Sequence, residues 1–297
     1  MSSTPVIDVE RLNVTYGDFH AVKHLSFQVE QGEFYALLGT NGAGKTSTLE
    51  VVGGHRAPTS GTVRVFGRSP RDRRAVRPRM GIMLQESGFS ADLTVQESVR
   101  LIGKLTQRAD RVERVLGIVG LTHKARTKVS QLSGGEKRRL DFATAVYGGP
   151  ELIFLDEPTT GLDIQSRDDL WDTVDKLRED GSTIVLTTHY LEEAQQRADR
   201  IGIMHKGTFS REGTVSELTR TLPAAVRFSL PSFPAAAPEL PLRATRESDG
   251  TFLIETFSLQ KDLSTLLRWA ESHAVQLGEL QAGPTRLDDV FRSIGSD

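Results

Sequence analysis

The chain contains no cysteine among its 297 residues, and this absence limits the chemistry that it can perform. Disulfide bridges and thiolate metal sites both need cysteine sulfur, so both are excluded. Charge of one sign is also missing, because the formal net charge at pH 7 is only −2. We therefore expect no general affinity for nucleic acid or for anionic lipid surfaces.

Long apolar segments are absent as well. The longest apolar runs have the length of a β-strand, well below the roughly 20 residues that a membrane-spanning helix needs. No basic, apolar leader opens the sequence, so we expect neither a secretory signal nor direct insertion into a membrane. The chain is long enough for one large α/β domain and a smaller appendage. These limits favour a cytoplasmic protein with a sizeable core.

A glycine-rich segment follows the strand-like apolar run at 34–38. Residues 39–46 read Gly-Thr-Asn-Gly-Ala-Gly-Lys-Thr and match the pattern G-x-x-x-x-G-K-[ST] at every fixed position. Glycines let the backbone wrap an anion without Cβ clashes, so that N–H groups and the positive end of the next helix point at phosphate. Lys45 would reach the β- and γ-phosphates, and the Thr46 hydroxyl would be a ligand of Mg²⁺. The segment predicts a nucleoside triphosphate site, and a ligand-free turn is the weaker alternative.

Two acids end a second apolar run, because residues 152–155 read Leu-Ile-Phe-Leu and precede Asp156 and Glu157. Such a run predicts a strand that is buried on both faces and whose carboxyl end meets the site. We expect Asp156 to hold Mg²⁺ through water and Glu157 to orient or deprotonate the attacking water. Because side chains alternate along a strand, the two carboxylates are expected to face different ways.

A third segment, Leu-Ser-Gly-Gly-Glu at 132–136, precedes a basic stretch that favours a helix. Ser133 is a good helix N-cap, and the N–H groups at the start of that helix form a second place where an anion can bind. In isolation the segment predicts only an ordinary capped helix. Between a phosphate-binding loop and an acidic strand end, it resembles the signature motif of the ATP-binding-cassette (ABC) ATPases letter for letter. The resemblance covers about residues 5 to 215.

The resemblance implies functions for further residues that stand at the family's spacing. It makes Tyr16 the aromatic that stacks on adenine, and it makes Gln85 a ligand that links the nucleotide to the transporter. Asp163 would lie in a loop that crosses between subunits, and His189 would contact the γ-phosphate. The implied catalytic residues are Lys45, Glu157 and His189, and the implied Mg²⁺ ligands are Thr46, Gln85 and Asp156. The implied nucleotide-binding residues are Tyr16, Gly39, Asn41, Gly42, Ala43, Gly44, Lys45, Thr46, Ser47, Gln85, Ser133, Gly134, Gly135 and Asp163.

The implied fold class is α/β, a P-loop NTPase core of the ABC type. It combines a mixed sheet with helices, an antiparallel β subdomain and a helical subdomain at about 86–140 that carries the signature. The arginine-rich stretch at 71–79 predicts a solvated helix that Pro78 ends. Strands are predicted at 6–10, 25–30, 34–38, 62–66, 152–156, 183–188 and 201–204, and a helix at 166–179.

The composition changes after residue 220. Prolines interleaved with alanine predict irregular connections there, not a core element. These prolines are Pro223, Pro231, Pro234, Pro238 and Pro241. A strand at 251–257, an amphipathic helix at 259–272, a strand at 274–280 and a short last helix follow. We predict an ATPase domain at 1–220 and a C-terminal accessory α+β domain at 221–297, whose end resembles the daunorubicin-resistance-like branch of the family.

That branch powers exporters whose membrane subunits are separate polypeptides. The resemblance implies a head-to-tail homodimer in which each ATP lies between Lys45 of one copy and Ser133 and Gly135 of the other. It also implies the cofactors ATP and Mg²⁺, a separate integral-membrane permease as partner, and a position on the inner face of the cell membrane through that permease. The expected function is the ATP-hydrolysing subunit of an exporter of a drug, an antibiotic or another small molecule.

Three other functional classes are alternatives to an exporter subunit. A soluble ABC ATPase that acts on ribosomes or DNA would have two cassettes, a coiled coil or zinc modules, whereas this sequence has one cassette, no heptads and no cysteine. A non-catalytic nucleotide-binding regulator would be expected to lack Glu157 or His189. Coupling to an importer stays open, because the ATPase subunit carries little information on direction. The sequence does not specify the transported substrate, because the substrate contacts the membrane subunit.

Overall fold

A computed structural model describes residues 5–85, 88–220, 222–230, 239–247, 249–284 and 287–295. The chain divides into two compact units, Met1–Thr214 and Val215–Asp297. The boundary predicted from composition lies between residues 220 and 221, after helix Val215–Thr219. In the structure this helix belongs to the second unit, where it packs on the last helix, Leu287–Gly295. Among the described residues, no helix is both long enough and apolar enough to cross a membrane.

The first unit contains nine strands and seven helices within the described residues. Its strands are β1 (Ile7–Tyr16), β2 (Phe19–Val29), β3 (Phe34–Gly39), β4 (Ser60–Val65), β5 (Met80–Met83), β6 (Leu152–Asp156), β7 (Thr183–Thr188), β8 (Arg200–His205) and β9 (Thr208–Gly213). Its helices are α1 (Lys45–Val52), α2 (Arg73–Val76), α3 (Val95–Thr106), α4 (Val112–Ile118), α5 (Gly134–Val146), α6 (Ile164–Glu179) and α7 (Leu191–Arg197).

A six-stranded sheet in the order β5-β6-β7-β3-β8-β9 forms the centre of this unit. All neighbouring strands are parallel except β8 and β9, which pair antiparallel. The central strands are buried on both faces, as continuous apolar runs predict. On β6, Phe154 enters one core cluster while Ile153 and Leu155 enter the other. The carboxyl ends of β5, β6, β7 and β3 consequently meet at one edge of the sheet.

Smaller layers cover the two faces of this sheet. A three-stranded antiparallel sheet in the order β2-β1-β4 shares one core cluster with α1. Helices α3, α5 and α6 share the other cluster, which includes Val99, Leu140 and Trp171. The mixed sheet, the antiparallel sheet and the helical region confirm the predicted fold class. One detail was wrong, because Pro78 does not end the arginine-rich helix: a 3₁₀ turn at Arg77–Arg79 follows α2.

The second unit is an α+β structure. Its strands are β10 (Ala224–Ser229), β11 (Thr245–Arg246), β12 (Phe252–Thr256) and β13 (Gly278–Gly283), and its helices are α8 (Val215–Thr219), α9 (Leu259–Ser272) and α10 (Leu287–Gly295). The strands form an antiparallel sheet in the order β11-β12-β10-β13. Val226, Phe228 and Ile254 pack with Leu266 and Trp269 of α9 to form its core. The assignment of an ATPase domain to 1–220 and an accessory domain to 221–297 stays a prediction.

Two sequence predictions for this unit were wrong. Residues 224–229 were expected to be irregular because of the surrounding prolines, yet β10 is an inner strand whose Val226 and Phe228 alternate into the core. The last strand lies later than the predicted 274–280, because Ala274 has a left-handed backbone and the Val275 N–H bonds to Ala270 O, which completes the end of α9. Three of the expected connecting prolines, Pro231, Pro234 and Pro238, lie outside the described residues.

Close packing of α5 against the edge strand β5 predicts the effect of one substitution. A Cβ placed at Gly81 would lie 2.0 Å from Ala145 O, so Gly81→Ala should destabilise the fold by roughly 1–3 kcal/mol. Gly117 in α4 is the matched control, because a Cβ placed there would have its nearest neighbour, Thr122 Oγ1, 3.9 Å away. Gly117→Ala should be neutral or should stabilise by up to about 1 kcal/mol. Urea unfolding midpoints of the two variants measure the contrast, and equal midpoints would contradict this packing.

Candidate functional site

The loop between β3 and α1 takes a shape that needs glycine at two positions. Gly42 and Gly44 have φ values of 79° and 104°, in the left-handed region that other residues avoid. A Cβ at Gly44 would also lie 2.6 Å from Ala21 O, and one at Gly39 would lie 2.7 Å from Met204 O. The glycines identified in the sequence are therefore required by backbone conformation and by close approach.

A cavity of about 320 Å³ opens over this loop. It brings together the loop, the second residue after β5 and the carboxyl end of β6, which lie far apart in the sequence. The predicted site residues that line it are Asn41, Gly42, Ala43, Gly44, Lys45, Thr46, Ser47, Gln85, Asp156 and Glu157. Phe19 and Ala21 line it too, and neither was predicted from the sequence. The sequence signal for Phe19 is an aromatic residue shortly after Gly17, and the structure shows that its side chain is 62% exposed.

Lys45 begins α1 and folds back over the loop. Its Nζ donates to Gly39 O at 2.6 Å and to Thr40 O at 3.3 Å. Burial lowers the pKa of Lys45, and the nearby carboxylates of Glu157 and Asp156 act in the opposite direction. A buried ammonium that is balanced by two carboxylates provides a positive charge at the wall of the cavity.

Asp156 ends β6 in a buried position. The Thr187 hydroxyl on the neighbouring strand β7 donates to its Oδ1, and burial raises the pKa of Asp156. Among the described residues, no cluster of three His, Cys, Asp or Glu side chains is arranged to hold a metal. Mg²⁺ commonly binds through one or two protein oxygens together with substrate phosphates and waters. A Thr46 hydroxyl and an Asp156 carboxylate on one cavity fit that ligand set.

Glu157 lies just beyond the end of β6 with a left-handed backbone, φ 50°. Its N–H donates to Thr187 O at 2.9 Å. This conformation costs a non-glycine residue roughly 1–3 kcal/mol, so surrounding contacts must maintain it. Asp156 and Glu157 both line the cavity, which corrects the expectation that they face different ways. Strand alternation does not extend to Glu157, because the strand ends one residue earlier.

His189 follows β7 and contacts Glu157. The distance from its Nδ1 to Glu157 Oε2 is 2.6 Å, and its ring centroid lies 4.1 Å from that of Tyr190. The parallel pairing of β6 with β7 brings the two residues together across 32 positions of sequence. The structure thus joins the predicted histidine to the predicted acid.

The predicted signature residues lie at the start of α5. Ser133 is the N-cap: its Oγ accepts from Glu136 N at 3.2 Å, and its own N–H donates to Glu136 Oε2 at 2.8 Å. Gly134 and Gly135 open the helix. A Cβ at Gly135 would lie 3.6 Å from Gly161 O, so the signature lies beside the loop that leads to Asp163. None of Ser133, Gly134, Gly135 and Asp163 is among the described residues that line the cavity.

Asp163 and Tyr16 both make contacts within the chain. Asp163 is the N-cap of α6, and its Oδ1 accepts from Ser166 N at 2.8 Å. The Tyr16 hydroxyl lies 3.1 Å from Ser47 Oγ and donates to Glu50 Oε2 at 3.0 Å. One face of the Tyr16 ring is covered, because the Arg56 guanidinium lies 4.1 Å from its centroid. Tyr16 therefore lies beside the first turn of α1.

A buried carboxylate, Glu193 of α7, joins the segment that follows β6 to the last residue of β7. The Thr159 hydroxyl donates to Glu193 Oε1 at 2.7 Å, and the Thr188 hydroxyl donates to Oε2 at 3.2 Å. Burial raises the pKa of Glu193 despite these hydroxyl donors and the cation of Arg167. No function is predicted for Glu193 from the sequence, since a glutamate in a helix gives no sign of its burial.

Comparison with known proteins agrees with this geometry. A sequence model described as "ABC transporter" matches residues 22–160, and one described as "ABC transporter domain-containing protein-like, C-terminal domain" matches residues 224–285. A Nod factor export ATP-binding protein I from Ralstonia nicotianae is 34% identical over 98% of this chain and 94% of its own length. The chain belongs to the ABC transporter family as an ATP-binding subunit, and it is an ATPase.

Other relatives give the same result. The daunorubicin resistance ATP-binding protein DrrA3 from Streptomyces coeruleorubidus is 40% identical, over 71% of this chain and 69% of its own length. The dimeric structure of a bacterial ABC transporter cassette superposes with a TM-score of 0.65 at 28% identity, over 70% of this chain and 98% of that one. A structure of an ATP-binding subunit of an ABC transporter has a TM-score of 0.69 at 25% identity, covering 73% and 92%.

The raised pKa of Glu193 predicts a pH-dependent effect of Glu193→Gln. Protonated Glu193 is favoured in the folded protein, and this contribution to the stability of the wild type is complete below the unfolded pKa, about 4.5. The contribution is lost as pH rises through the raised folded pKa. Glutamine cannot ionise, so the variant should gain stability relative to wild type as pH rises above the unfolded pKa and through the raised folded pKa of Glu193. Urea unfolding of both proteins across this range measures the difference.

Glu192→Gln is the control, because Glu192 is the exposed neighbour in the same helix. Its stability relative to wild type should not change with pH in this way. A difference between Glu193→Gln and wild type that stays constant with pH would contradict the raised pKa.

Proposed function

We propose that this chain hydrolyses Mg²⁺-ATP to drive a separate membrane permease that exports a drug, an antibiotic or another small molecule. The observation that carries the proposal is the Glu157 carboxylate, which His189 contacts at 2.6 Å on the same cavity as Lys45. The names of the relatives support export, since they include Nod factor export, daunorubicin resistance and linearmycin resistance. The protein would act at the cytoplasmic face of the membrane through its permease.

ATP would bind with its phosphates over the loop that precedes α1. Backbone N–H groups of the loop and the start of α1 would donate to the phosphate oxygens, and Lys45 would turn its ammonium from Gly39 O to the β- and γ-phosphates. Mg²⁺ would be held by Thr46, Gln85 and Asp156, and it would neutralise charge on the phosphate oxygens. The adenine would lie near Tyr16 and the exposed ring of Phe19.

Hydrolysis would depend on the two oxygens of Glu157. One oxygen keeps the contact with His189, and the other accepts a proton from the attacking water. The water oxygen bonds to the γ-phosphorus as the bond between that phosphorus and the bridging oxygen breaks, and ADP and phosphate leave. His189 steadies the γ-phosphate, and Lys45 stabilises the negative charge of the transition state.

Two copies of the chain would be needed for a complete site. Ser133 and Gly135 do not line the cavity of their own chain, yet the start of α5 offers N–H groups to an anion. In a head-to-tail homodimer they would contact the γ-phosphate bound at Lys45 of the other copy, and Asp163 would lie in the loop between the copies. The dimeric cassette among the structural relatives supports this arrangement.

Lys45→Ala should abolish ATP binding, because it removes the cation that faces the β- and γ-phosphates. Fluorescence titration of the full chain with a fluorescent ATP analogue and Mg²⁺ measures the affinity. Lys176→Ala, at an exposed position of α6, is the control and should bind as wild type does. Undiminished binding by Lys45→Ala would count strongly against the phosphate site.

Glu157→Gln keeps the size and shape of the side chain but removes the basic carboxylate. Hydrolysis should fall by about 10²–10⁴-fold, as expected for the loss of a general base. ATP binding should survive because Lys45, Thr46 and Asp156 remain. The variant should accumulate as a closed homodimer with two trapped ATP molecules, which light scattering detects as a doubled mass. Hydrolysis at the wild-type rate would refute the assignment of Glu157.

Adding Ser133→Arg to Glu157→Gln should abolish the trapped dimer, because the arginine blocks the opposing γ-phosphate site. Ser133 also caps α5, so a control must remove a similar cap elsewhere. Thr94 caps α3 with the same reciprocal bonds to a glutamate, Glu97. Glu157→Gln with Thr94→Arg should still dimerise. A trapped dimer in the Ser133→Arg variant would leave the head-to-tail model without support.

A further inference from the structure

One buried arginine of the signature helix, Arg138, binds the backbone of two other motifs. Arg138 is only 7% exposed and does not line the cavity. Nη1 donates to Leu84 O at 2.6 Å and to Gln85 O at 3.2 Å. Nη2 donates to Asp156 O and, at 2.5 Å, to Glu157 O, and Nε donates to Pro158 O at 3.3 Å. One side chain therefore binds five carbonyl groups from two separate segments.

This arrangement fixes the backbone on both sides of Glu157. The carbonyls of Asp156 and Glu157 belong to the two peptide groups that flank the Glu157 Cα, so holding both restricts its φ and ψ. From the opposite side, Thr187 O accepts the Glu157 N–H. Glu157 has φ 50°, a conformation that persists only where the surroundings enforce it. Arg138 is a side chain that maintains this backbone conformation through its bonds to Asp156 O and Glu157 O.

Only arginine can satisfy this set of acceptors. A guanidinium has five N–H donors in a planar fork, whereas a lysine ammonium has three donors on one atom. Burial lowers the pKa of Arg138, with Asp141, Asp156 and Glu157 acting in the opposite direction. Removing the cation would leave several buried carbonyls without this donor, which is costly.

We propose that Arg138 is a positioning residue for hydrolysis, which holds the Glu157 backbone in its left-handed conformation and ties it to the segment that carries Gln85. Arg138 does not line the cavity and acts through Glu157. The inference rests on the proposed function of Glu157 as the base. Because the same guanidinium binds Gln85 O, a displacement of the Gln85 segment is transmitted to Glu157 by hydrogen bonds alone.

The chain offers a matched control in Arg108, which is also buried and also bonds to carbonyls of helix α5, at its opposite end. Its guanidinium donates to Ala145 O at 2.9 Å and to Thr144 O at 3.0 Å, away from the cavity. Burial lowers the pKa of Arg108 to about 10. Substitution of Arg108 removes a buried cation and its carbonyl contacts without touching Glu157.

The test compares Arg138→Lys and Arg138→Met with Arg108→Lys and Arg108→Met in the full chain. For Arg138→Met, kcat for ATP hydrolysis should fall by about 10²-fold, as a misplaced catalytic group predicts. Its KM and its affinity for a fluorescent ATP analogue should change by less than about threefold, because ground-state binding is kept. Arg138→Lys should recover part of kcat. The Arg108 variants should lose thermal stability but keep kcat.

A double-mutant cycle with Glu157→Gln separates positioning from general stability. In the Glu157→Gln background, Arg138→Met should cause no further fall in the residual rate, because its effect passes through Glu157. If Arg138→Met does not fold, Arg138→Lys tests the inference by the same criterion, a fall in kcat with a nearly unchanged KM. An Arg138 variant that loses stability as Arg108→Met does but keeps kcat would overturn this inference alone. A Glu157→Gln protein with the wild-type rate would overturn both the base and the inference.

Discussion

The site depends on one constraint, the parallel pairing of β6, β7 and β3. Parallel strands end at the same edge of a sheet, so whatever follows each strand is brought to one place. The phosphate-binding loop follows β3, the acidic pair ends β6, and His189 follows β7. The pairing of β5 with β6 adds Gln85 to the same edge. Residues far apart in the sequence become neighbours because of strand order, and contacts such as that of His189 with Glu157 follow from it.

The buried charges at this edge have backbone and hydroxyl partners in addition to one another. Lys45 bonds to Gly39 O, Asp156 accepts from a threonine hydroxyl on the next strand, and Glu193 accepts from two more threonine hydroxyls. Arg138 is held by five backbone carbonyls. Such partners are fixed by the fold, so the charges keep defined positions. A nucleotide that enters this edge meets an arrangement of groups that needs little reordering.

Much of the fold and site could be predicted from the sequence, because the motifs depend on local backbone chemistry. The glycine loop needs left-handed φ values at Gly42 and Gly44, and the signature needs an N-cap at Ser133; both requirements are visible in the residue types. The remaining features depend on tertiary structure. The flanking prolines favoured an irregular connection where β10 lies, whereas burial of Phe228 stabilises a strand there. The contacts of Arg138 are with backbone carbonyls, which every residue possesses, so no sequence pattern predicts them.

The shortness of the edge strand β5 has a consequence for association in solution. Exposed edge strands present unpaired N–H and C=O groups that can pair with another molecule, and short or covered edges reduce this risk. Strand β5 has only four residues, α5 packs on it, and the carbonyls of the next two residues, Leu84 and Gln85, are bound by Arg138. The folded chain thus offers little template for edge-to-edge aggregation on this side. A chain in which α5 has detached would free the carbonyls of Leu84 and Gln85 and would be the more aggregation-prone form.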